Sequence, residues 1–270
     1  MKIEVPGGPL AVTTAGEDGP TVLLVPGFTG SKEDFRLVLP LLADAGLQVV
    51  SMDQRGQYES TGPDDPAAYT VAALAEDLLA LVATLGRGPV HLVGHSFGGL
   101  VCRAAALRRP ASVRSLTLLA SGPAGLTGPR TESLAQLRHL LGRDGLPAVA
   151  DLLDLAAAAD PTRADEPAEL RAFLRTRFLA SSATGLIAMG EALQTEPDRV
   201  AELKGTGIPL LVAYGVDDDA WAPAVQAEMA MRLDARHVVI PAALHSPAVE
   251  NPAATVAALT SFFAAVDSAR

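Results

Sequence analysis

Three kinds of side chain that can act together on an acyl compound stand far apart in this chain. They are an alcohol at Ser96, neighbouring carboxylates at Asp217, Asp218 and Asp219, and an imidazole at His245. A serine hydroxyl is a poor nucleophile until an imidazole takes its proton, and that imidazole needs a carboxylate to hold its tautomer. Ser96 sits in Gly94-His95-Ser96-Phe97-Gly98-Gly99, between the apolar run Val90–Val93 and the helix-like Leu100–Ala106. A strand-to-helix turn this tight strains its central residue and needs small neighbours, because strand and helix pass in contact. With 24 glycines in 270 residues the string alone is weak, and a Gly-rich turn with a solvated serine would read the same. Its partners decide.

His245 lies in Pro241-Ala242-Ala243-Leu244-His245-Ser246-Pro247, after the last strand-like run. His91 and His237 fall inside strands, His139 lies in a helical stretch, and His95 is expected to point away from the serine's side of the turn. A loop histidine alone is usually a solvated surface residue. Here it follows an acidic loop in the order serine, acid, histidine. At most one of three consecutive aspartates can face it: Asp218 is favoured, three residues after Gly215, ahead of Asp219 and then Asp217. Acyl transfer also needs N–H donors for a developing oxyanion. The Phe97 N–H stands at a helix N-terminus, and the Phe28 N–H, after Gly27, can pair with it. The alternative for Gly27-Phe28 is a turn glycine beside a core aromatic.

These loops need a frame that brings them to one rim. Leu10–Thr14, the turn Gly16-Glu17-Asp18-Gly19-Pro20 and Thr21–Val25 read as a hairpin, its second strand apolar throughout and so buried on both faces. Ser31 with Asp34 reads as the capped start of a helix to about Ala45. A strand over Leu47–Asp53 ends in the polar turn Gln54–Ser60. Thr70 opens a helix with an apolar face at Val71, Leu74, Leu78, Leu81, Val82 and Leu85. The Ser96 strand, a helix to Arg109 and the strand Val113–Ala120 come next. Strands alternating with helices of this length imply right-handed crossovers and a parallel sheet, with binding crevices at the strand C-termini.

Between Gly122 and about Thr206 the rhythm breaks: no strand-like run appears, and Pro123, Pro129, Pro147, Pro161, Pro167 and Pro197 divide helical segments. The expectation is a helical cap, residues 122–206, lying over the sheet edge of a core formed by residues 1–121 and 207–270. The alternative is further crossover helices on the sheet's flanks. Alternation resumes with a strand over Ile208–Gly215, a helix near Pro223–Leu233, the strand Arg236–Ile240 and a last helix from Pro252 to about Val266. The fold class is α/β, a mostly parallel, doubly wound sheet with an inserted cap.

A composition 49% apolar and 19% charged supplies a sizeable core. No apolar stretch approaches bilayer length, and the opening residues lack a basic start, apolar segment and cleavage site, so a soluble, cytoplasmic protein is expected. Cys102 is the sole cysteine, which excludes an internal disulfide. A formal charge of −10 and only 4% aromatic residues argue against nucleic acid or an anionic membrane as partner.

Four motifs now stand together: Pro26-Gly27-Phe28-Thr29-Gly30-Ser31, Asp53-Gln54-Arg55-Gly56, Gly94-His95-Ser96-Phe97-Gly98-Gly99, and His245-Ser246-Pro247 with Glu250-Asn251-Pro252. In combination they resemble the α/β-hydrolase superfamily, specifically its small members with a helical cap. The resemblance covers nearly the whole chain outside residues 122–206. It implies the α/β-hydrolase fold, Ser96 as nucleophile, His245 as base, Asp218 as its orienter, Phe28 and Phe97 as oxyanion donors, and a structural turn at Asp53 and Arg55. Two departures stand out. Pro26 replaces the usual histidine before the oxyanion-loop glycine, and Gln57-Tyr58-Glu59 replaces small residues, which is expected to alter one pocket wall. Serine at 96, where dehalogenase and epoxide-hydrolase relatives carry aspartate, argues against both of those chemistries.

The expected activity is serine hydrolysis of a carboxylic ester or related acyl compound, with no metal or organic cofactor. A lactonase, thioesterase, aminopeptidase, carbon–carbon bond hydrolase or cofactor-free haloperoxidase or perhydrolase would reuse the same residues. From another class, a non-catalytic small-molecule receptor remains as an alternative. The cap is rich in alanine and leucine, with Phe173 and Phe178 its only aromatics, so the expected partner is a largely apolar small molecule. An aminopeptidase would need a cap carboxylate for the free amine, for which Glu166, Glu169 and Glu191 are candidates.

Overall fold

In the computed structural model, which describes residues 1–160 and 166–269, strands and helices alternate as the apolar runs require. The chain begins with β1 (Lys2–Val5), β2 (Gly8–Ala15), β3 (Thr21–Val25), α1 (Val38–Asp44) and β4 (Gln48–Met52). Next come α2 (Val71–Leu85), β5 (Val90–His95), α3 (Phe97–Arg108) and β6 (Val113–Leu119). Four helices follow: α4 (Pro129–Ala159), α5 (Ala168–Ala180), α6 (Ala183–Thr195) and α7 (Val200–Gly205). The chain closes with β7 (Leu210–Gly215), α8 (Pro223–Leu233), β8 (Arg236–Ile240), α9 (Pro247–Glu250) and α10 (Pro252–Ser268).

The eight strands form one sheet in the order β1-β2-β4-β3-β5-β6-β7-β8, parallel from β4 to β8 and antiparallel at β1 and β2. Successive side chains of a strand face opposite sides, and β3 makes the consequence plain. Val22 and Leu24 pack with Leu42 of α1 and Phe262 and Phe263 of α10, whereas Leu23 and Val25 pack with Leu78 of α2 and Leu100 of α3. All five residues of β3 are buried. Each such side chain taken from water contributes about 1.5–3 kcal/mol, which is why a continuously apolar strand belongs at the sheet's centre.

That same burial overturns the expected pairing of β2 with β3. β4 lies between them, and β2 instead forms a hairpin with β1 through the turn Pro6-Gly7. β3 needs a strand on both edges, so it pairs with β4 and β5. The helix expected from Ser31 to Ala45 is also two pieces: a 3₁₀ turn over Lys32–Phe35, opened by Ser31 and Asp34 as a capping box, and then α1. Pro40 explains the break, since its ring would clash with the carbonyl of Arg36 in one continuous helix.

Four helices lie between β6 and β7, where the strand rhythm stops. α4 is broken at Gly145, whose φ of 76° suits only glycine, just before Pro147. Pro161 lies outside the described residues. Arg103 of α3, buried and seven residues beyond Ser96, holds both ends of this insertion. Its guanidinium donates to the carbonyl of Pro123 on the way in, and to the Pro197 carbonyl (3.1 Å) and Glu196 carboxylate (3.2 Å) on the way out. On the far side, the Ser182 amide donates to the Gly56 carbonyl at 2.8 Å, and Arg177 of α5 pairs with Asp34 at 2.5 Å.

Candidate active site

Backbone conformation sets the serine. Ser96 takes φ 52° and ψ −121°, a strained pair for a residue with a side chain, worth of order 1–3 kcal/mol. It is held there by bonds on both sides: its amide donates to the Leu119 carbonyl of β6, and its carbonyl accepts from the Gly99 amide, each at 2.9 Å. The flanking glycines are obligatory by contact. A Cβ on Gly94 would stand 2.4 Å from the Gly98 oxygen, and one on Gly98 would stand 2.4 Å from the Val25 oxygen and 2.5 Å from that of Pro26. The loop after β3 is therefore pressed against the serine turn.

A second close approach brings acid and base together. A Cβ on Gly215 would meet the carbonyls of Leu244 and Ala243, so the loops after β7 and β8 touch along their backbones. The Asp217 amide donates to the Ala243 carbonyl at 3.2 Å across that contact. From these loops His245 Nδ1 lies 2.9 Å from Asp218 Oδ1, and His245 Nε2 lies 2.9 Å from Ser96 Oγ. An ionised carboxylate only accepts, so Nδ1 carries the ring's proton and Nε2 is left to accept from the serine hydroxyl. Burial pushes the Asp218 carboxyl up, but bonds and charge from His245, the Ala220 amide and Gln226 outweigh it. The acid lies below its ordinary value and is ionised at neutral pH.

Of the three candidate acids, then, only Asp218 reaches His245. Asp217 is exposed, and Asp219 turns outward to Arg130 of α4 at 2.6 Å. Of the other histidines, His91 is buried against Ser115 and Phe263, His237 meets the Tyr214 hydroxyl, and His139 is exposed. His95 departs from expectation. Instead of pointing away, it borders the same cavity as Ser96, its ring 5.1 Å from that of His245, and its Nε2 donates to the His245 backbone carbonyl at 2.7 Å. Burial and the neighbouring His245 push its pKa down to about 4, so His95 is neutral.

Phe28 follows β3 and borders the cavity, and Phe97 is the first residue of α3, with its ring buried in the core. Gln57 donates to the Gly27 carbonyl at 2.8 Å, and Gln54 to the Pro26 carbonyl at 2.9 Å. In a trans peptide the N–H points opposite to the C=O, so the Gln57 bond turns the Phe28 N–H away from Gln57. This corrects the expectation for Gln57-Tyr58-Glu59: none of the three borders the cavity. Gln57 holds the loop, Tyr58 packs edge-on to Phe173 at 5.8 Å, and Glu59 bonds Lys32.

The cavity over Ser96 and His245 measures about 540 Å³. Leu126, Leu134, Leu137, Leu153 and Leu193 close it from above, with Arg130 and Arg177 at its sides. Neither Glu166, Glu169 nor Glu191 borders it, and Glu191 pairs with Arg138 at 2.9 Å. Among the described residues there is no group of three or more His, Cys, Asp or Glu side chains placed to hold a metal ion. None of their helices is long and apolar enough to cross a membrane.

Two supports were not legible in the sequence. Gln226 of α8, fully buried, donates to Asp218 Oδ2 at 2.8 Å, and Trp221 stands 6.2 Å from the His245 ring while its Nε1 donates to the Ala124 carbonyl. The motif Gly215-x-x-Asp218 gives no hint of a glutamine eight residues further on.

A family model described as the alpha/beta hydrolase fold matches residues 20–252. A Variovorax paradoxus protein bearing the name carbamate hydrolase RutD is 40% identical over 102 residues, 38% of this chain and 38% of that protein. Epoxide hydrolase A of Mycobacterium tuberculosis is 38% identical over 100 residues, 37% of this chain and 31% of that one. Both matches thus span well under half of the relatives' own length. Over nearly the whole length, a thermophilic esterase from Thermogutta terrifontis, solved with malate bound, is 26% identical with a TM-score of 0.82. That comparison covers 98% of this chain and 99% of the esterase.

Proposed function

The chain belongs to the α/β-hydrolase fold family, and on that premise we propose that it is a serine hydrolase of carboxylic esters, working through Ser96, His245 and Asp218. The observation that carries the reading is the unbroken line of contact from Asp218 through His245 to Ser96, 2.9 Å at each step, under an apolar roof. Ser96 Oγ attacks the carbonyl carbon while its proton passes to His245 Nε2. Asp218 favours the imidazolium so formed. The carbonyl oxygen, now negative, is held by the Phe28 and Phe97 amides, the latter at a helix N-terminus. Collapse expels the alcohol with the proton from His245, and a water activated by the same ring releases the acid and restores the serine.

Serine at 96 favours acyl transfer over the epoxide opening named in one relative, because an alkoxide formed by His245 attacks carbonyl carbon through a tetrahedral intermediate that two amides can hold. The esterase similar over its full length points the same way. The leucine-rich roof supports a substrate apolar next to its ester; Asp34, the carboxylate that borders the cavity, is already paired with Arg177, which disfavours a free amine there.

Ser96→Ala tests the proposal. It is expected to remove nearly all turnover of an activated ester, a loss of roughly 10³-fold or more, together with all labelling by a fluorophosphonate. Labelling that survives the substitution would assign the nucleophile elsewhere.

A further inference from the structure

The cavity at Ser96 has a larger neighbour beyond its roof. Thr29, Leu153 and Arg177 border it and also border a larger groove of about 880 Å³ between the far segment of α4 and α5. The floor of this groove is apolar: Ala150, Ala157, Ala172, Leu174 and Phe178, with Leu153 at the junction. Ala150 and Phe178 are buried, so the floor is firm. Along α4 the groove runs from Ala150 past Ala157, about 10 Å at the helical rise per residue. Alanines on this face leave the space open. The larger Leu152 and Leu155 of the same segment are exposed and do not border the groove.

The groove's arginines are largely engaged: Arg175 bridges Asp151 at 2.6 Å and Asp154 at 2.5 Å, and Arg177 pairs with Asp34 at 2.5 Å. Paired charges offer little to an ionic ligand, while an apolar chain would find Ala150, Leu153, Ala157, Ala172, Leu174 and Phe178 along its length. Groove and cavity thus meet at three shared residues, and Leu153, 44% exposed, is the apolar side chain between them.

Resting on the ester-hydrolase reading, we propose that this groove receives the unbranched hydrocarbon tail of the substrate's acyl group, threaded past Leu153 from an ester held at Ser96. The enzyme's substrates are then esters of medium to long aliphatic acids. Specificity for chain length lies in Ala157 and Ala172, where a larger side chain fills the path.

The test is the ratio of kcat/KM for p-nitrophenyl dodecanoate over the butyrate, both kept below micelle-forming concentrations. A buried methylene is worth up to roughly fourfold, so the wild-type ratio is expected well above one. Ala157→Trp from α4 and, independently, Ala172→Trp from the more exposed α5 face are each expected to lower that ratio about tenfold or more. Leu155→Trp, on the same helix but outside the groove, is expected to keep the wild-type ratio. A ratio unchanged in both groove variants, or a wild type that prefers butyrate, overturns the assignment while leaving the ester reading intact. Failure to turn over either ester, with no fluorophosphonate labelling, overturns the ester reading and this one with it.

Discussion

Asp218 and Asp219 are neighbours in sequence that belong to different halves of the molecule. Asp218 faces the sheet edge, where it accepts from His245, the Ala220 amide and Gln226 and is almost fully buried. Asp219 faces the helical roof, with its one partner, Arg130, about as exposed as itself. The contrast extends to their surroundings. Below, backbones touch at Gly94, Gly98 and Gly215, and buried amides such as Gln54 and Gln57 fix the loops. Above, ion pairs such as Arg175 with Asp154 lie in solvent, and Leu152, Leu153 and Leu155 are exposed. On the proposed reading, the site must stabilise charge as it develops and needs donors and acceptors fixed beforehand, a need the packed side would meet. A site that must admit substrates needs a wall that can vary at little cost in stability, which the roof supplies.

The sharpest way to break this contrast is Asp218→Asn. The asparagine keeps the shape, and its amide nitrogen can donate to Nδ1. That stabilises the tautomer with the proton on Nε2, facing Ser96, where no base remains. The expected outcome is a fall in kcat of roughly 10⁴-fold with secondary structure retained by circular dichroism. A loss under tenfold would mean that the buried aspartate serves packing alone.

How much of this could be read beforehand follows from the range of each interaction. The convergence of Ser96, Asp218 and His245 is legible because each is set by a short rule: a glycine-flanked turn, a loop after a strand, an order along the chain. Asp218 was separable from its neighbours only by its distance from Gly215. The orientation of His95 is not legible, because its bond is to the carbonyl of a residue 150 positions away, which no local pattern encodes. Arg103 and Gln226 escaped notice for the same reason, since their partners lie across the fold. The pairing of β2 with β3 failed differently. Two strands joined by a turn invite a hairpin, but the all-apolar Val22–Val25 run needed strands on both edges.

His95 gives a finer probe of the packed side, through pH. Its pKa is pushed down to about 4, first by burial and then by His245, against an ordinary value of 6.5. The unfolded chain therefore binds a proton that the folded one refuses between these values. Stability is full above about pH 6.5 and declines as pH falls toward 4, by an amount on the order of 2–3 kcal/mol. Asp218, also held below its ordinary value, is likewise stabilising at higher pH, but its contribution is lost only at the acid end, below about pH 4. His95→Gln cannot titrate and retains an N–H for the His245 carbonyl. Thermal melts of this variant are expected to flatten between pH 4 and 6.5 with kcat within a few-fold of wild type. His95→Ala flattens the melts equally but frees the His245 loop, and is expected to lose roughly tenfold in kcat. Parallel curves for wild type and His95→Gln would mean that His95 is protonated in the folded chain.

The smallest effect belongs to the other aspartate. Asp219→Asn leaves Arg130 with solvent instead of a carboxylate, in a pair whose side chains are 43% and 56% exposed. Water screens such a pair, and holding two long side chains together costs entropy, so the change in stability is expected within about 1 kcal/mol. Because Asp219 has no contact with His245, kcat is expected to stay within about twofold of wild type, and its pH profile unchanged. The double substitution with Asp218→Asn sharpens the point. If the two residues act in separate halves, their effects multiply, and the double variant matches Asp218→Asn to within that same twofold. If Asp219→Asn deepened the defect strongly, the roof would be reaching the imidazole through Arg130, and the division between a fixed floor and a tolerant wall would fail where the two halves touch these consecutive residues.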